Sequence, residues 1–257
     1  MYLFYDINIS DAQVGQTIVL DAEESAHAVR VLRYTAGDTI HVADGRGKLY
    51  EALITNPHSR HCEAEIICVE QQAKHHRSSV HIAVAPTKNI ERMEWLAEKC
   101  TEIGVDLITP LLCHYSERKV IRTDRLQKII LSAAKQSLSA YLPHLNELTS
   151  VKDCIMNASE EHRYIAHSSP WTDKRDLSDE LRKNTPCGSN LKLEVINTES
   201  EIPSSESFLV LIGPEGGFSD DEVHLAIEHG FVPVSLGEAR LRTETAAIVA
   251  CAMINYV

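Results

Sequence analysis

The chain has 257 residues, of which 44% are hydrophobic and 24% charged, and its formal net charge is −12. No apolar run approaches the roughly 20 residues of a membrane helix, and the first residues carry neither the basic region nor the cleavable apolar stretch of a secretory signal, so a cytoplasmic protein is expected. Seven cysteines without a CxxC pair argue against a disulfide framework or a zinc site, and the acidic balance, taken alone, argues against nucleic acid.

In chain order, residues 1–70 predict short strands at 17–20, 39–43, 49–54 and 64–69, with one helix at 23–32. Asp44-Gly45, followed by Gly47, is a hairpin-type turn signal. This pattern predicts a small β-barrel domain. The polar, aperiodic stretch 71–79 (QQAKHHRSS) places a boundary that gives domains of 1–72 and 73–257.

The second domain alternates strand and helix. A strand at 80–85 leads to a helix capped by Asn89, with the face Ile90, Met93, Leu96, Ala97, Cys100 and Ile103, and ended by Gly104. A strand at 107–112 precedes a helix capped by Thr123. Further strands are expected at 164–166 and 208–212, with a helix and loops across 173–207. Ser219-x-x-Glu222 is a capping box, and Phe218 with Val223 forms its hydrophobic staple. Gly230 closes that helix before a last strand at 232–236. The final helix, from about Thr243, is apolar all round over 246–254, so it must be covered on every side. That predicts packing on its own domain and on a second copy of the chain. Alternating strands and helices imply an α/β fold with a mainly parallel sheet.

Charge is unevenly spread: net −5 over residues 1–74, +2 over 75–150 and −9 over 151–257. The stretch from His114 to Lys135 is the most basic. It reads either as a surface for an RNA backbone or as a solvated helix face.

The chemistry concentrates in two loops. Ile212-Gly213-Pro214-Glu215-Gly216-Gly217 joins a strand to a capped helix and fits neither GxGxxG nor GxxxxGK[ST]. With Glu215 where an anion would sit, it suits a neutral or cationic ligand better than a phosphate. A tight structural turn is the other reading. Leu236-Gly237-Glu238-Ala239-Arg240-Leu241-Arg242-Thr243-Glu244-Thr245 follows the last strand and sets two arginines before a buried helix.

IGPEGGFSDDEV and VSLGEARLRTETAA resemble the RsmE family of SPOUT-class methyltransferases. The resemblance extends to His27 with Val31-Leu32-Arg33, to Gly37-Asp38, to 99–105 with Glu117-Arg118, and to 134–137 with Leu142-Pro143. It implies S-adenosylmethionine-dependent methylation of N3 of a uridine in 16S ribosomal RNA. It also implies a PUA-like first domain, a C-terminal trefoil knot and a homodimer through the last helix. It places the cofactor on His167, Ile212, Gly213, Pro214, Glu215, Gly216, Gly217, Leu236, Gly237, Leu241, Arg242 and Thr245. RNA, free or in the small subunit, would meet His27, Arg30, Arg33, Arg118, Lys119 and Arg122.

Arg242 is the first candidate for steadying negative charge on the uracil, and the alternative is a packing salt bridge. Glu244 would anchor Arg242 or accept a proton. Glu215 would offset the cofactor's positive charge or bond loop amides. The chain departs from the family at Tyr2-Leu3-Phe4 and Leu138-Ser139-Ala140, where an arginine is usual, and at Lys119, where serine is common. Thirteen histidines contain no HExxH, and no metal is assigned. A non-catalytic RNA-binding protein, a methyltransferase for another nucleotide and a nucleotide-binding enzyme are the competing classes.

Overall fold

The computed structural model describes residues 2–9, 11–74, 78–168, 172–184 and 206–256. It divides into two compact units, Met1–His75 with Ile130–Leu142, and His76–Ile129 with Pro143–Val257.

In the first unit, β1 (Leu3–Tyr5), β2 (Thr17–Val19), β3 (Thr39–Ala43), β4 (Lys48–Asn56) and β5 (Glu63–Gln71) form one sheet in the order β1-β3-β4-β5-β2. Only the β1–β3 pair is parallel among these. All five strands send side chains into a single core that includes Phe4, Ile18, Val42, Tyr50 and Ile66, so the sheet curls around that core. β1 escapes a reading by alternation because its three residues are all buried. The helix expected at 23–32 is broken. Asp21 caps α1 (Ala22–Ala26) by accepting from Glu24 N–H at 2.8 Å, and the chain then widens into a π-helical turn over His27–Val31.

The second unit holds β6 (Ser79–Val84), α2 (Ile90–Ile103), β7 (Leu107–Leu112) and the start of α3 (Thr123–Gln136). It continues with β8 (His144–Leu145), β9 (Thr149–Ser150), α4 (Val151–Met156), β10 (His162–Ala166), β11 (Arg175–Asp176) and α5 (Leu177–Asn184). The last elements are β12 (Ser207–Ile212), α6 (Asp220–Glu228), β13 (Val232–Ser235) and α7 (Thr243–Tyr256). The strand order is β11-β13-β10-β12-β6-β7-β8, with β9 also on β7, and every pairing among the described residues is parallel.

The local signals hold. Asn89 caps α2, Gly104 ends it in the left-handed region at φ 108°, and the Ser219–Glu222 capping box starts α6. Phe218 and Val223 are both in the core. Thr123 is the first residue of α3 rather than a cap outside it. α7 packs on α2, β6 and β12 and buries Ala247, Ala250, Cys251 and Ile254. Its other side is half-buried at Ile248, Val249, Ala252 and Met253. The six described cysteines are free thiols; Cys187 and the part of the 173–207 expectation from 185 to 205 lie outside the described residues.

Candidate active site

Three neighbouring strands build the site. In the order β13-β10-β12, Ala166 lies level with Ile212 on one side and with Val234 on the other. Parallel strands that stop at one level release their loops along one edge, where open α/β sheets bind ligands. The loops after β10, β12 and β13 therefore lie side by side and line a cleft of about 900 Å³. That is within the size range of small-molecule sites.

Eleven of the twelve residues assigned to cofactor binding line this cleft; Thr245 does not, and Ala246 takes that side of the first turn of α7. Gly217 has φ 77° and open space where a Cβ would stand, and Gly237 has φ 112° and the same freedom. Both positions favour glycine. Gly213 is packed instead: a Cβ there would lie 3.1 Å from the Gly217 carbonyl carbon. The buried Thr243 Oγ1 donates to the Gly213 carbonyl at 3.1 Å and ties the last two loops together.

The charges around the cleft are mixed. Arg92, Lys174, Arg240 and Arg242 line it together with Glu215 and Glu238. In an otherwise acidic chain this is a local excess of positive charge, suited to an anionic partner at the rim. Burial first, and then the Lys174 charge, pull His167 below the ordinary imidazole range, against the opposing effect of Asp220. His167 is therefore a neutral ring at pH 7. Glu244 is 6% exposed and pairs with Arg92 at 3.6 Å. It does not anchor Arg242, whose exposed side chain has no ion pair among the described residues.

Sequence reasoning did not single out Arg92 or Lys174. Arg92 stands in the first turn of α2, three residues beyond the Asn89 cap, on the helix that follows β6, the next strand along the same edge. Counting every strand end of the parallel sheet as a source of site residues would have found it.

The RNA candidates fall in both units. In the first, His27 stacks on Tyr2 with centroids 4.4 Å apart, Arg30 donates to Ser59 Oγ at 3.1 Å, and Arg33 is exposed in the left-handed region at φ 61°. In the second, Arg122 pairs with Asp124 at 2.8 Å and Lys119 is exposed. Arg118 is half-buried and donates to the carbonyls of Thr87 and Lys88 at 3.2 and 2.8 Å.

A family model for an RNA methyltransferase domain matches residues 74–255, and one for an RNA methyltransferase PUA domain matches residues 20–67. The chain is 30% identical to a ribosomal RNA small subunit methyltransferase E from Synechocystis sp., over 98% of this chain and 77% of that one. A crystal structure of a probable rRNA-methyltransferase from Porphyromonas gingivalis superposes with TM-score 0.82 at 37% identity, covering 99% and 97% of the two chains. Another, of a ribosomal RNA small subunit methyltransferase E from Neisseria gonorrhoeae bound to S-adenosyl methionine, gives TM-score 0.76 at 27% identity, covering 98% and 95%.

Proposed function

This chain belongs to the RNA methyltransferase family, in the branch of the ribosomal RNA small subunit methyltransferases E, and from that premise we propose that it methylates N3 of a uridine in 16S ribosomal RNA. It is an S-adenosylmethionine-dependent rRNA methyltransferase. The observation that carries the reading is the cleft of three loops at one edge of the parallel sheet.

The cleft fits the cofactor by its own chemistry. Open space stands at Gly217 and Gly237 where other residues would project a Cβ, and Glu215 and Glu238 complement a ligand with ammonium and sulfonium charges. When bound, S-adenosylmethionine supplies a methyl group on an electrophilic sulfonium centre. The loops at Gly213–Gly217 and 236–242, with His167, hold and orient it. The chain then has to position the uracil and steady the negative charge that N3 and its neighbouring carbonyls carry as the N3 proton leaves. Arg242, exposed at the cleft and without an ion pair among the described residues, is the guanidinium for that task. Glu244 acts on the cleft as the buried anchor of Arg92.

In the same reading residues 1–72 are a PUA-like RNA-binding domain and residues 73–257 the methyltransferase domain, and α7 belongs to a trefoil knot. RNA meets His27, Arg30 and Arg33 in the first domain and Lys119 and Arg122 in the second. The half-buried strip Ile248, Val249, Ala252 and Met253 is the dimer surface, and the protein works in the cytoplasm. No helix among the described residues is long and apolar enough to cross a membrane. Equilibrium titration tests the core of the proposal: S-adenosylmethionine binds and ATP does not displace it. Displacement by ATP would instead favour a nucleotide-binding enzyme.

A further inference from the structure

The polar network behind the Gly213–Gly217 loop gives Arg118 a task that a basic surface residue does not have. Its guanidinium spans two successive carbonyls, of Thr87 and Lys88, at 3.2 and 2.8 Å. Thr87 is fully buried, and its hydroxyl donates to the Asn89 carbonyl at 2.7 Å, so this turn is fixed between β6 and α2. The Lys88 N–H then donates to Glu215 Oε1 at 3.0 Å. On the outside, Lys88 Nζ pairs with Glu117 at 2.9 Å. Beside this pair, Gly216 lets the exposed Tyr115 lie so close that a Cβ there would be 3.0 Å from Tyr115 Cβ. The 115–118 segment thus grips the turn at 87–88, and that turn grips the carboxylate that enters the cleft.

We infer that Arg118 is a positioning residue for the cofactor, holding the Glu215 carboxylate in place through the main chain of Lys88. A planar guanidinium suits the task because it meets two acceptors at a fixed spacing, which an ammonium cannot do. Two of its five N–H donors are committed to these carbonyls, which ties the guanidinium to the turn at 87–88. The inference rests on the proposed function for the identity of the ligand alone.

The test is a double-mutant cycle on S-adenosylmethionine affinity, measured by calorimetry on the full-length wild type, Arg118→Ala, Glu215→Ala and the double variant. Each single variant is expected to weaken binding by roughly ten-fold, about the loss of one hydrogen bond to a charged group. The double variant should be no weaker than the single ones, because Arg118 acts through Glu215. Arg118→Lys, which preserves the charge and most of the packing, should fall between wild type and Arg118→Ala. Losses that multiply in the double variant would overturn the inference. So would unchanged cofactor affinity in Arg118→Ala; a salt slope of RNA binding lowered by about one unit in that variant would then mark a phosphate contact instead. A wild type that binds no S-adenosylmethionine would overturn the proposed function itself.

Discussion

Two glycine-rich turns of this chain are alike in composition and opposite in purpose. In the first unit, the buried Asp44 carboxylate accepts from the Arg46 and Lys48 amides at 2.7 and 3.0 Å and shapes the turn around Gly45 and Gly47. Both glycines have positive φ, and both are covered: a Cβ on Gly47 would collide with the Tyr141 ring, and one on Gly45 would lie 3.2 Å from Leu142. In the second unit, Gly217 lines the cleft and also has positive φ, but its missing Cβ would meet nothing within 4 Å. The first turn is glycine-rich because the chain packs on it; the second is glycine-rich beside space for a ligand. What a Cβ would meet separates Gly45 and Gly47 from Gly217.

The largest effect should come from the packed turn. Gly47→Val places a branched side chain against Tyr141 at φ 105°, and overpacking with left-handed strain should cost about 3–5 kcal/mol. Thermal unfolding measures it; a melting temperature equal to that of wild type would break the contrast. Gly217→Val meets no neighbour, so its stability cost should stay near the 1–2 kcal/mol of backbone strain, while S-adenosylmethionine affinity falls by roughly a hundred-fold. Calorimetry on the folded variant decides it, and retained affinity would remove Gly217 from the ligand site.

The cleft offers a finer contrast between holding and reacting. Arg242→Ala should lower the single-turnover methylation rate by about a hundred-fold, the usual loss of a donor aimed at developing charge. RNA affinity should change far less. A wild-type rate would return Arg242 to a packing role. The smallest expected effect concerns α7. Ala250 is fully buried inside its own unit, so it does not report on assembly, whereas Val249 stands on the half-buried strip. Val249→Glu should leave the fold intact and weaken the dimer by about ten-fold. Sedimentation reads this, and a wild type that is monomeric at micromolar concentration would dispose of the interface.

The same contrast explains what the sequence disclosed. The Ser219–Glu222 box, the Asn89 cap, the Gly104 stop and the Gly213–Gly217 loop are local devices, and each stands where its few residues put it. β8, β9 and β11 have two residues each, too short for any periodicity to register. The fit of 130–142 into the first unit rests on contacts across long stretches of chain, such as the Gly47 N–H donating to the Ala140 carbonyl at 3.1 Å and Tyr141 Oη donating to the Gln72 carbonyl at 2.9 Å. No composition signal encodes these. In the site, the loops that line the cleft were legible because glycine patterning is conformational. The partners of Glu244 and Arg118 were not, since which charge meets which carbonyl is decided by the tertiary fold.

The central claim is the reaction, and it is tested most directly by incubating the protein with labelled S-adenosylmethionine and small ribosomal subunits that lack the modification, then digesting the RNA and identifying the labelled nucleoside. The account predicts label in 16S ribosomal RNA at a single uridine, recovered as N3-methyluridine. Label in any other nucleoside, or no label while S-adenosylmethionine is bound, would contradict it.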